Sequence, residues 1–88
     1  MPYTKEEINR RIDPKINELI KEVEFFGLFE QAGIFTRIIY RIAIAITTKK
    51  YWRFALTMGA IFCAALEFWR RRIVPYENEK IKEHGDIL

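Results

Sequence analysis

Side chains able to do chemistry are few and far apart in this 88-residue chain. His84 is the one histidine, near the end of a polar stretch, and a metal or haem site needs several converging ligands or an axial pair. Cys63 is the one cysteine, so no disulfide or CxxC site forms within the chain. It has no histidine or basic neighbour to stabilise a thiolate, and a buried structural thiol is expected. Gly27, Gly33, Gly59 and Gly85 are too widely spaced to make a phosphate loop. Most carboxylates alternate with lysines at helical spacing, where i,i+4 pairing accounts for them. Glu67 is different, because it interrupts an apolar run. Proton movement is one use for it, and pairing with Arg70 or Arg71 is the expected one. The sequence therefore predicts no catalytic residue, no cofactor and no metal.

What remains is an all-α expectation in four parts. Half the residues are apolar while 31% are charged, which suits one greasy segment between polar flanks better than a uniform globule. Residues 1–33 read as an amphipathic helical extension. Thr4 and Glu7 are spaced as a capping box, with Tyr3 and Ile8 as a hydrophobic staple, and this first helix is expected to end near Asp13. Asp13–Pro14 then reads as a second start, followed by Ile16, Leu19, Ile20 and Val23 on one face and a stop at Gly27. Residues 28–33, with Gly33, read as a turn or broken helix. The opening MPYTKEE, with Glu6 and Glu7, is expected to be neither a secretory signal nor a presequence.

Residues 34–50 form a basic amphipathic segment, with Ile34, Ile38, Ile39, Ile42 and Ile46 on one face and Arg37 and Arg41 away from it. It is expected to lie in a membrane interface or against a neighbouring subunit. Residues 51–72 read as a transmembrane helix. From Tyr51 to Trp69 such a helix measures about 28 Å, near the roughly 30 Å of hydrocarbon. Tyr51, Trp52 and Arg53 at one end, and Trp69, Arg70, Arg71 and Arg72 at the other, are the expected interfacial anchors. Ala55, Gly59 and Cys63, with Ala60 and Ala64 beside them, make a small-residue face for close helix packing. Leu56, Phe62 and Leu66 are left for lipid. Residues 73–88 form a polar tail, and Pro75 is expected to limit the helix before it. The net charge of +3 comes without any basic block of the kind that binds nucleic acid.

Tyr40–Arg41, Lys49–Lys50, Phe54–Thr57, Gly59–Ala60, Phe62 and Tyr76–Asn78 follow one another in an order that resembles the subunit 9 family of the mitochondrial cytochrome bc1 complex. The likeness spans residues 38–83, and the first 35 residues stand outside it. Glu67 comes later in the span than that family's polar residue, the Arg70–Arg72 cluster is unusual for it, and its Gly-Lys in the tail is missing. The resemblance implies a non-catalytic accessory subunit of ubiquinol–cytochrome c oxidoreductase (complex III), single-pass in the mitochondrial inner membrane. Its neighbours would be the anchors of cytochrome c1 and the iron–sulfur subunit, with cardiolipin as a further lipid partner. Charge sets no orientation, since residues 34–53 and 70–88 each carry five Lys and Arg. The competing readings are an accessory subunit of complex I or ATP synthase, a membrane-bound assembly or regulatory factor, and a soluble helical partner-binding protein.

Overall fold

The computed structural model describes residues 3–87, so Met1, Pro2 and Leu88 of the two terminal segments lie outside the described residues. Four helices follow one another: α1 (Glu6–Glu24), α2 (Leu28–Ile46), α3 (Tyr51–Phe68) and α4 (Val74–His84). A π-helical stretch, Trp69–Ile73, joins the last two.

Helix α1 is continuous where the sequence suggested two pieces. It runs through Pro14, so the Asp13–Pro14 signal starts nothing. Ile8, Ile12 and Ile16 carry one apolar stripe across the proline, and the helix keeps that stripe in register despite losing one backbone bond. The capping box is also absent. Lys5 is the N-cap, without a side-chain bond, and the Thr4 hydroxyl turns instead to the Asn9 side-chain oxygen. Residues 28–33 are the first turns of α2 rather than a break, with Gly27 as its extended N-cap. Gln31 secures this junction by donating from its side chain to the Phe26 carbonyl at 2.8 Å.

The corner between α2 and α3 is tied twice. Thr47 and Thr57 share a hydroxyl hydrogen bond at 2.7 Å. The Arg53 guanidinium donates to the Ile46 carbonyl at 2.7 and 3.1 Å, and so satisfies an orphan acceptor at the end of α2. Beyond α3, Pro75 does not stop the helix. A proline cannot donate to the carbonyl four residues back, and widening the preceding turn to π spacing carries the chain past it, with Val74 N–H reaching the Trp69 carbonyl.

These charges also overturn the expected span. Among the described residues no helix is long and apolar enough to cross a membrane. Arg53 and Glu67 confine the uncharged run to residues 54–66, about 20 Å of helix against roughly 30 Å of hydrocarbon. Arg53 does not snorkel towards an interface but caps α2. The expected fold of amphipathic helices leading to one transmembrane helix is corrected to four amphipathic or mixed helices. The single-pass placement in the mitochondrial inner membrane goes with it.

No described residue is buried. The radius of gyration is 16.7 Å, whereas a compact chain of this length would have about 12 Å. The surface of 8628 Å² exceeds the roughly 5,500 Å² of a compact monomer of 10.6 kDa. Roughly 3,100 Å² that a globular chain would cover is left open. Large side chains such as Phe35, Phe54, Phe62 and Leu66 are each more than half exposed.

The corner gives a direct expectation. Arg53→Ala removes both donors to the Ile46 carbonyl and should loosen the α2–α3 corner by about 1 kcal/mol. Hydrogen exchange should then quicken at residues 47–57, with the amides of α1 unchanged.

Candidate interaction site

The site is a shallow groove of about 870 Å³ along α3, closed at one end by the incoming N-terminal segment. Its floor is the small-residue face: Ala55, Gly59, Ala60, Cys63 and Ala64 all line it. The sequence brought these five together by helical spacing alone. Leu56 and Phe68 also line the groove, although Leu56 was expected to point elsewhere. The missed signal is that a wall residue can sit one position from the small stripe, because the groove is wider than the stripe.

Gly59 has open space where a Cβ would stand, so nothing inside the chain requires a glycine there. A glycine within a helix costs up to ~1 kcal/mol relative to alanine. Cys63 is half-exposed in the groove rather than buried as expected, and it is a free thiol.

The polar end of the groove is built around Glu67. Its Oε2 accepts from Arg71 Nε at 2.8 Å, from Arg70 Nη2 at 3.1 Å and from the Tyr3 hydroxyl at 3.1 Å. Arg71 Nη2 donates to the same tyrosine oxygen at 3.0 Å, and its guanidinium lies 6.0 Å from the ring centre. The expected pairing of Glu67 is present with both arginines, three and four residues on, about one helical turn away. Tyr3, at a separation of 64 residues, was not foreseen as part of it. No local periodicity links the two ends of the chain, so only the fold could reveal that contact. The hydrogen bond from Arg70 holds the Glu67 carboxyl below the ordinary carboxylate range, with Tyr3 and Arg71 acting the same way and partial desolvation opposing them. The same bond raises the pKa of Arg70.

The other expected anchors do different things. Tyr51 and Trp52 are exposed at the start of α3, and Trp69 is exposed at the π stretch. Arg72 lines the groove and has no ion pair among the described residues. His84 is exposed on α4, 3.5 Å from Glu83. Among the described residues no three His, Cys, Asp or Glu side chains gather as metal ligands would.

The Glu67 cluster should respond to acid. Its carboxyl is depressed in the folded chain, so the stabilisation is complete above the ordinary carboxylate pKa and is lost as pH falls through the lowered value. The Tyr3 ring resonances should therefore move on acidification below the ordinary carboxylate range, and Glu67→Gln should abolish that transition.

No curated protein and no solved structure matches the chain, so neither comparison supplies a function. Nothing found connects the chain with a respiratory complex or a membrane. One family does match, over residues 1–87, and the chain belongs to it: the family described as "Domain of unknown function (DUF6899)".

Proposed function

We propose that this chain is a non-catalytic helical subunit whose fold is completed by packing against a partner in a larger assembly. The observation that carries this reading is the absence of any buried residue among the described ones, in a chain that is half apolar. In proteins most of the stability of helices such as these, 18 or 19 residues long, comes from packing an apolar face. Each of the first three has such a face, and each leaves it mostly uncovered. Covering that roughly 3,100 Å² on this side would make an interface of roughly 6,200 Å² counted over both partners, at the large end of permanent interfaces. A transient docking module would leave less.

The accessory-subunit role inferred from the resemblance is kept in this form, without the membrane span. A host is identified by what the chain co-purifies with at fixed stoichiometry. A regulator or assembly factor would instead be recovered in substoichiometric amounts.

Two measurements test the reading. The free chain should lose its helical signal gradually on heating, with no sharp midpoint, and its helices should be open to limited proteolysis. A monomer at sedimentation equilibrium that unfolds in one cooperative step would overturn the proposal. Within the assembled state, Gly59→Leu should fill the groove floor and weaken retention, whereas Phe62→Leu, outside that groove, should be retained. Equal retention of both would remove the α3 groove from the interface.

A further inference from the structure

Resting on that reading, we infer that Tyr3 is a detachable latch: it occupies the polar end of the α3 groove, and a partner reaches the full length of the groove only after the tyrosine leaves. Tyr3 lines the groove together with Cys63, Glu67 and Arg71. It donates to Glu67 Oε2 at 3.1 Å and accepts from Arg71 Nη2 at 3.0 Å, with that guanidinium near its ring. Every other hydrogen bond and ion pair among the described residues joins positions at most ten apart. Tyr3 alone therefore makes a polar tie between distant parts of the chain, and it makes that tie inside the groove.

The tie is built to come apart cheaply. Residues 3–5 belong to no helix, and α1 begins only at Glu6. Thr4 is fastened back to α1 through the Asn9 side chain, so Tyr3 can swing away while the helix behind it stays in place. Glu67 keeps Arg71 at 2.8 Å and Arg70 at 3.1 Å when the tyrosine departs, so no carboxylate is stranded. None of the partners is buried, and water takes over the bonds that are lost, which keeps such contacts modest in strength. A latch of this kind lowers the apparent affinity of an incoming partner by the fraction of chains that are open. The partner in turn displaces it by preferring the open state.

Cys63, about one turn before Glu67 in the same groove, reports the open state in the full chain. Its reaction with N-ethylmaleimide, an uncharged reagent, should run about two- to fivefold faster in Tyr3→Ala, the range for losing exposed polar contacts. That substitution removes no formal charge, so the charges around the thiol stay as they are. Tyr3→Phe keeps the ring without its hydroxyl and should give part of the increase. Tyr76→Ala removes an exposed tyrosine outside the groove and should leave the rate unchanged. Equal rates in Tyr3→Ala and the unaltered chain would overturn the inference, as would an equal gain in Tyr76→Ala. If Tyr3→Ala loses its helical signal, the unaltered chain decides. Nuclear Overhauser contacts should join the Tyr3 ring to the Glu67 and Arg71 side chains, and their absence would overturn the latch. In the assembled state Tyr3→Ala should be retained at least as firmly as the unaltered chain, and weaker retention would make Tyr3 a partner contact instead. None of these failures touches the partner-dependent fold, which rests on the separate unfolding measurement of the free chain.

Discussion

Apolar faces that find no cover inside the chain are the constraint on which every other feature depends. A helix of this length stays formed in water mainly by packing its apolar side, and its backbone bonds alone are worth too little to fix it. Here α1, α2 and α3 each present such a side; α1 and α2 meet, and the three are not stacked into a core. The result is an open arrangement, with a radius of gyration well above that of a compact domain. Small domains are marginal even when compact, and this openness is what the proposed partner is argued from.

What holds the arrangement in shape is polar and sits at its corners. Arg53 caps the end of α2, Thr47 bonds to Thr57 across the turn, and Glu67 gathers Arg70, Arg71 and Tyr3. Such contacts are modest in energy when exposed, but they are directional. They set the angles at which the apolar faces are presented, while covering very little of those faces. The contacts that set the shape and the apolar faces left open thus belong to different side chains. The first set is internal to the chain, and the second is turned outward.

The two charges inside residues 51–72 show how one residue can carry opposite readings. In the sequence, Arg53 and Glu67 look like tolerable charges near the two ends of a membrane span. In the structure each is committed to a protein contact, and between them they leave too short an uncharged run to cross a membrane. Hydropathy along a chain does not say where a guanidinium will find its acceptor.

The sequence by itself determined that the chain is helical and that Ala55, Gly59, Ala60, Cys63 and Ala64 share a face. Both follow from composition and from a period of 3.6 residues, which are local properties. The pairing of Glu67 with Arg70 and Arg71 was legible for the same reason, being a matter of three- and four-residue spacing. Only the tertiary structure decided that α1 runs through Pro14, that a π turn carries the chain past Pro75, that Tyr3 closes the groove, and that Leu56 belongs to its wall. Each of these depends on elements distant in the chain or on how one turn yields to the next, and local pattern carries no term for either.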